Sequence, residues 1–245
     1  MLRLVSLLMV LLLWQAGAVF ADPHHLPSPL LVILAMRHEA ASGQLFLHLG
    51  ATLLRVVAAF VLAMCIGSAI GIVMGQNRLI NRLADPWLIL LLNLPALVII
   101  VLAYIWIGLN ETAAIGAVAL NKIPNAIVTL REGMRARDAG LDEMAQAYRF
   151  SRMTWLRHVL LPQLAPYFAA SARSGLSLVW KIVLVVEMLG RSNGIGFQIN
   201  MAFQLFDVTL LLAYALPFVL IMLLMETVVV QPFEAYASRW RPRHA

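Results

Sequence analysis

Charged residues are scarce in this sequence, and their scarcity sets its class before any motif does. Only 12% of the 245 residues are Asp, Glu, Lys or Arg, whereas 62% are hydrophobic. This composition excludes a water-soluble domain and is typical of a polytopic membrane protein. We therefore expect an all-α fold with a single transmembrane domain of about six helices, a five-helix core preceded by an N-terminal helix.

Cysteine pairs and the common catalytic motifs are absent as well. Cys65 is the single cysteine and lies in an apolar run, so it forms no intrachain disulfide and most simply packs. There is no G-x-x-x-x-G-K-[ST] loop to bind ATP phosphates, and no H-E-x-x-H or G-x-S-x-G motif. The six histidines are scattered, and the adjacent His24 and His25 point in different directions on any regular element. We expect no catalytic residue, no metal site and no cofactor bound by the chain itself.

The net charge of +6 predicts topology and not nucleic-acid binding, because the basic residues lie in short segments between apolar runs. Basic loops stay on the cytoplasmic side of a membrane. This rule places the turn 76–82, the loop 131–165 and the basic tail 233–245, with Arg239, Arg241 and Arg243, in the cytoplasm. The segment 21–44 is then periplasmic, and Ser28 with Pro29 predicts the start of a short helix within it.

Residues 1–20 are either a retained transmembrane helix or a signal peptide cut after Ala21, and their length favours the helix. The transmembrane domain follows over residues 45–232. Within it, apolar length predicts spans at about 45–75, 86–107, 112–130, 167–189 and 208–230. Pro95 predicts a kink in the span at 86–107, and residues 191–207 are long enough for a short external helix.

Two sets of residues inside the spans stand out. Gly67, Gly71 and Gly75 recur at every fourth position, a spacing that lets a neighbouring helix approach closely, within the subunit or between two subunits. Polar residues at membrane depth are costly unless they face protein or water. The candidates to border a substrate route are therefore Asn121, Lys122, Asn125, Lys181 and Glu187.

The alternative for these polar residues is a structural role. Lys181 and Glu187 are too far apart on one helix face to pair, so each would need a partner elsewhere, with Lys122 a candidate for Glu187. Two lysines in the spans would suit an anionic solute.

The segment 141–162 predicts two short helices. In the first, 141–150, an apolar stripe is formed by Leu141, Met144, Ala145 and Tyr148, with Asp142 and Glu143 in the first turn. Ser151 is placed to cap the second, which we expect Leu161 and Pro162 to end.

This segment resembles the cytoplasmic loop of the permease subunits of ABC importers. Their pattern is Glu-Ala-Ala, three residues, Gly and later Leu-Pro. Glu143, Ala145, Leu161 and Pro162 match it, while Met144 replaces the first Ala and Arg149 stands at the Gly position. Four short stretches are similar to the nitrate, sulfonate and taurine branch of these permeases. They are Leu26-Pro27-Ser28-Pro29, Trp180-Lys181, Glu187-Met188-Leu189-Gly190 and Gly194-Ile195-Gly196.

The resemblance implies a type I ABC importer permease in the bacterial inner membrane. Its partners would be a second permease, two ATPase subunits that bind ATP and magnesium, and a periplasmic binding protein. The site implied for ATPase coupling is Leu141, Glu143, Met144, Ala145, Tyr148, Leu161 and Pro162. A secondary transporter would also fit polar residues in the spans, but the halves show no repeat. A membrane enzyme would need a catalytic constellation that the sequence lacks.

Overall fold

A computed structural model describes residues 2–22 and 25–238, and within them the chain forms helices and no strand. The predicted all-α class is confirmed. His24, for which we predicted no metal site, lies outside the described residues. The basic residues from 239 onward, which we predicted to be part of a cytoplasmic tail, lie outside them too. In chain order the helices are α1 (Leu2–Phe20), α2 (Pro29–Ala41), α3 (Gln44–Gln76), α4 (Arg78–Asn93), α5 (Ala96–Ile107), α6 (Glu111–Arg135), α7 (Ala139–Ala147), α8 (Arg152–Trp155), α9 (Leu161–Gly190), α10 (Ile195–Gln204), α11 (Val208–Met225) and α12 (Gln231–Ser238).

Four continuous helical stretches of the described chain are long and apolar enough to cross a membrane: Gln44–Gln76, Glu111–Arg135, Arg152–Gly190 and Val208–Ala237. The span expected at 86–107 is broken, since α4 and α5 meet there at an angle of 97°. The apolar part of α1, Leu8–Phe20, is shorter than these spans. The external helix expected in 191–207 is present as α10.

The break replaces the kink that we predicted at Pro95, and its cause is local. A proline disfavours helical backbone in the residue before it, and Leu94 has the extended angles φ −71° and ψ 126°. Pro95 then starts α5 without an N–H to donate. At the end of α4, the Asn93 side-chain amide donates to the Ile89 carbonyl of the same helix at 2.8 Å.

Pro162 does not end a helix, contrary to the sequence prediction. A π-helical segment, Leu156–Leu160, joins α8 to α9, and the helix continues to Gly190. A second π segment, Glu226–Val230, precedes Pro232 in the same way. Proline cannot donate a helical hydrogen bond and crowds the carbonyl four residues back, and a widened turn relieves that crowding.

The described residues cluster into two units. The first contains residues up to 54 together with 184–222. In it, Ser28 caps α2 by accepting the Leu31 N–H at 3.4 Å, as the sequence predicted. The Trp14 indole donates to the Pro27 carbonyl at 3.0 Å, and the Tyr214 hydroxyl donates to Glu39 at 2.6 Å.

The second unit contains residues 55–183 and those from 223 onward, and α3 packs along α6 in it. The stripe of Gly67, Gly71 and Gly75 forms this contact within the subunit: an added methyl would lie 3.0, 2.7 and 3.0 Å from the carbonyl oxygens of Ile123, Ile127 and Arg131. Near the other end, the Arg55 guanidinium donates to both carboxylate oxygens of Glu111 at 2.6 and 2.8 Å. Arg55 and Glu111 are 56 residues apart, and the glycines keep the same offset, so the two helices run parallel in one register.

Candidate functional site

The helix α7 and the turn after it make up the first candidate site. Asp138 caps α7, since its Oδ1 accepts the Gly140 N–H at 2.8 Å and its own N–H donates to Gln163 Oε1 at 2.8 Å. The helix therefore starts earlier than the predicted residue 141, at Ala139, and ends at Ala147 and not at residue 150. Ser151 caps α8 as predicted, accepting the Thr154 N–H at 3.2 Å.

Arg149 takes the role of a C-terminal glycine. Its φ is 51°, in the left-handed region that side chains enter only at a cost. The Arg149 N–H donates to the Gln146 carbonyl at 3.0 Å, and the Phe150 N–H donates to the Ala145 carbonyl at 2.9 Å. This pair of bonds is the Schellman motif, so the turn forms despite the missing glycine.

Asp142 fixes α7 against the following helix. Its Oδ1 accepts the Trp155 indole N–H at 2.8 Å, and its Oδ2 pairs with the Arg137 guanidinium at 3.0 Å. The Trp155 ring packs against the buried cluster of Met134, Leu160 and Leu164. The orientation of α7 is therefore held by a partly buried carboxylate that sequence analysis treated only as a first-turn charge.

Of the residues predicted for ATPase coupling, some face outward and one does not. Leu141 and Met144 are each 39% exposed, Tyr148 is 75% exposed, and Glu143 is exposed too. Ala145 is only 3% exposed because the chain itself covers it, so it supports α7 from inside and is not part of an outward stripe. Pro162 lines one surface concavity together with Leu141, and it lines a second one together with Leu161 and Phe233.

A second candidate site is a concavity of about 600 Å³ beside the break between α4 and α5. The side chains that line it come from the break itself, from α6 and from α9. They are Leu91, Leu92, Leu94, Ala96, Asn121, Asn125, Ser174, Ser177, Leu178, Lys181 and Ile182. The spacings of four, three and four residues between the polar members on each helix put them on one face. The structure thus brings together three predicted route residues, Asn121, Asn125 and Lys181.

The donors of this second site are amides and an ammonium. Ser174 and Ser177 donate to carbonyls of their own helix at 3.2 and 3.0 Å. The Asn121 and Asn125 amides and the Lys181 ammonium are the other polar donors of the lining, and the Lys181 Nζ lies 5.6 Å from the centre of the Trp180 ring. Among the described lining residues, Lys181 is the charged one and its charge is positive, so the site suits an anion.

Lys122 lies elsewhere, although it is adjacent to Asn121 in the sequence. It is 1% exposed and fills the space beside Gly175, where an added methyl would stand 2.8 Å from its Nζ. Lys122 does not line the concavity, because it leaves α6 on a different face and packs toward α9. It is therefore a buried residue of the contact between α6 and α9, and its predicted place on a substrate route stays a prediction.

Glu187 is also fully buried, in the first unit, and its contacts are structural. Its Oε2 accepts the Thr52 hydroxyl at 2.9 Å and the Gly196 N–H at 2.8 Å. Thr52 in turn accepts the Ile195 N–H at 2.8 Å. Gly194 has φ 112° and a methyl there would strike the Glu187 carboxylate, so the Gly-Ile-Gly motif fits over this group. Glu187 holds the start of α10 and does not border the concavity; its predicted pair with Lys122 stays a prediction.

Sequence reasoning missed several residues of these sites. Ser174 and Ser177 precede Lys181 at helical spacing, a signal that was readable. The Trp155 contact with Asp142 and the space that Gly175 leaves for Lys122 depend on residues distant in the chain, and no local pattern marks them.

Comparison with known proteins gives a consistent result. The family profile described as "Binding-protein-dependent transport system inner membrane component" matches residues 65–241. The "Putative aliphatic sulfonates transport permease protein SsuC" of Escherichia coli (strain K12) is 30% identical over 237 residues, covering 96% of this chain and 90% of the relative. The "Taurine transport system permease protein TauC" of the same organism is 26% identical over 228 residues, covering 90% and 83%. The "Bicarbonate transport system permease protein CmpB" of Synechococcus elongatus is 28% identical over 216 residues, covering 83% and 77%.

Two solved structures share the fold. A crystal structure of "an amino acid ABC transporter with histidines" superposes with a TM-score of 0.66 and 18% identity, covering 82% of this chain and 97% of the other. An inward-facing structure of "the MetNI methionine ABC transporter" gives a TM-score of 0.64 and 17% identity, covering 74% and 92%. At these identities the likeness concerns the fold alone.

Proposed function

We propose that this chain, which belongs to the family of binding-protein-dependent transport system inner membrane components, is the membrane subunit of an ATP-driven importer for a small anion. In this proposal it pairs with a second permease, identical or related, in the bacterial inner membrane. A periplasmic solute-binding protein delivers the anion, and two cytoplasmic ATPase subunits bind ATP and magnesium.

The family membership confirms the ABC importer permease class that the resemblance predicted, because the profile covers residues 65–241. It also removes the reason for a secondary transporter or a membrane enzyme. The solute, the partners and the membrane are the parts that we propose.

One observation carries the choice of an anion. The concavity beside the α4–α5 break contains amide donors and the Lys181 ammonium, and no carboxylate is among its described lining residues. A guest anion is therefore attracted and a cation repelled. The relatives named above are called permeases for aliphatic sulfonates, taurine and bicarbonate, each of which presents an anionic group. An organic sulfonate is the solute that we propose.

The two lysines of the spans, Lys181 at the concavity and the buried Lys122, provide a test of the route. Hydrogen bonds to charged groups contribute about 1.5–3 kcal/mol, so Lys181→Met should lower uptake of labelled alkanesulfonate or taurine about tenfold or more. Lys122→Met makes the same chemical change away from the concavity and should leave uptake near the wild-type rate. Uptake is measured in a host without its own sulfonate permease that expresses the chain with its cognate ATPase and binding protein.

The yield of the assembled complex is measured for both variants, so that a transport defect is not confused with misfolding. Normal uptake by Lys181→Met at normal yield would remove this concavity from the route. Absence of uptake of sulfonate, taurine and bicarbonate by the wild-type complex would reject the proposed solute class.

The exposed side of α7 supports the proposed contact with the ATPase. Leu141, Met144 and Tyr148 present apolar surface beside the exposed Glu143 carboxylate, while Asp142 fixes the helix from behind. Burying an apolar side chain contributes about 1.5–3 kcal/mol, so Met144→Asp should weaken ATPase binding tenfold or more.

Met153→Asp is the control for this contact, because Met153 is 70% exposed on the neighbouring α8 and carries the same substitution. The measurement is the amount of ATPase that copurifies with the tagged permease. Ala145→Asp is unsuitable, since Ala145 is buried and a charge there would disturb the chain itself. Equal copurification by Met144→Asp and Met153→Asp would reject α7 as the docking helix.

A further inference from the structure

A concavity separate from the proposed route lies between the end of α3 and the segment that joins α7 to α8. Its volume is about 670 Å³. The polar side chains that line it are Gln76, Arg137, Asp142, Gln146, Arg149 and Arg152. Neither the route nor the outward face of α7 uses this site.

The site has an excess of positive charge. Arg137 is paired with Asp142 at 3.0 Å, and the Asp142 carboxylate is further occupied by the Trp155 indole. Arg149 and Arg152 form no ion pair within the described part of the chain, and both line the same concavity. Two guanidinium groups therefore share one concave site without a neutralising carboxylate.

Arg149 occupies a position where glycine would be free of strain. Its φ of 51° is imposed by the Schellman turn, whose backbone bonds need no side chain. The guanidinium is thus presented at a conformational cost and does not contribute to the turn itself. Strain that the fold does not need is a reason to look for a ligand.

The chemistry of the lining selects the ligand class. Guanidinium groups bind phosphate and sulfonate oxygens through paired N–H donors, and the Gln76 and Gln146 amides add further donors. Gln76 is also the last residue of a 33-residue apolar helix, so the site opens where a membrane-spanning helix ends. Basic pockets at the end of a membrane-spanning helix are suited to lipid phosphates.

We propose that this concavity binds a phosphate- or sulfonate-type oxyanion between Arg149 and Arg152. The oxyanion is either the headgroup of an anionic phospholipid or a free anion of the cytoplasm. A bound oxyanion would link the turn after α7 to the C-terminal end of α3 at Gln76. The proposal does not depend on the solute that the protein transports.

The test is the thermal unfolding of the purified full-length chain in a neutral detergent. One arm compares dioctanoyl phosphatidylglycerol with dioctanoyl phosphatidylcholine, and the other compares sodium phosphate and sodium sulfate with sodium chloride at equal ionic strength. The variants are Arg149→Gly, Arg152→Gln and their combination. Arg157→Gln is the matched control, because Arg157 is exposed in the π-helical segment after α8 and lines a different concavity.

We expect an oxyanion to raise the unfolding midpoint of the wild type and of Arg157→Gln, with an apparent affinity at least tenfold higher than for the double variant. Arg149→Gly should unfold at a higher temperature than the wild type without ligand, because strain is relieved, yet respond less to the ligand. That opposite pair of effects separates ligand binding from a folding defect.

A response to phosphatidylglycerol alone identifies the lipid headgroup, and a response to both arms identifies a free oxyanion; either supports the site. Equal responses of the wild type and the double variant would overturn the proposal. So would an unchanged anion response together with lost ATPase copurification, because that result assigns both arginines to the ATPase contact.

Discussion

Gly71 gives the sharpest test of the helix packing, because one methyl group is enough to disturb it. A Cβ at this position would stand 2.7 Å from the Ile127 carbonyl oxygen and 3.0 Å from the Leu130 Cβ. The carbonyl is backbone and cannot rotate away, so α3 and α6 must separate. Overpacking of this kind costs about 1–3 kcal/mol.

Gly50→Ala is the matched control on the same helix, since no heavy atom lies within 4 Å of its added Cβ. Both substitutions gain about 1 kcal/mol of helix propensity, so the difference between them isolates the steric cost. Each kcal/mol shifts the unfolding midpoint by about 2–4 °C in a chain of this size. Thermal unfolding in detergent should place Gly71→Ala several degrees below Gly50→Ala. Equal midpoints would show that α3 and α6 are not in the contact described here.

Two further predictions concern the hydrogen bonds that hold each unit. Thr52→Val removes the donor to Glu187 and the acceptor for Ile195, leaving buried groups unpaired, and should lower unfolding stability by about 1–3 kcal/mol; Thr129→Val, whose hydroxyl bonds only its own helix, should change it less. Trp155→Phe removes the bond to Asp142. A loss of about 1 kcal/mol in local stability should raise tryptic cleavage in the α7–α8 turn roughly fivefold, and an unchanged cleavage rate would argue against this anchor.

Elements with strong local signals were predicted well. Ser28 and Ser151 are both caps with their side chains on backbone N–H groups, as their sequence contexts indicated. Capping involves residues within one turn of each other, so the information is contained in a few neighbouring positions. The spans over α3 and α6 were likewise recognisable from their apolar length.

The effect of two prolines and the direction of one helix face were predicted less well. Pro162 was expected to end a helix, but the π-helical segment before it carries the helix onward to Gly190. Ala145 was assigned to an outward stripe, yet the chain covers it. Pro95 was expected to bend a span, and the chain turns by 97° there. In each case the residue type was right and its surroundings decided the outcome.

The sequence by itself determined the membrane class, the family and the types of residue at each site, because hydropathy, capping and the Glu-Ala and Leu-Pro motifs are properties of short stretches. Only the tertiary structure decided which polar residues share a site. Asn121 and Lys122 are adjacent in the chain, but successive residues on a helix point about 100° apart. One therefore lines the concavity with Lys181, and the other is buried beside Gly175. Glu187 is buried and bonded to Thr52 and Gly196, partners that no spacing along the chain reveals.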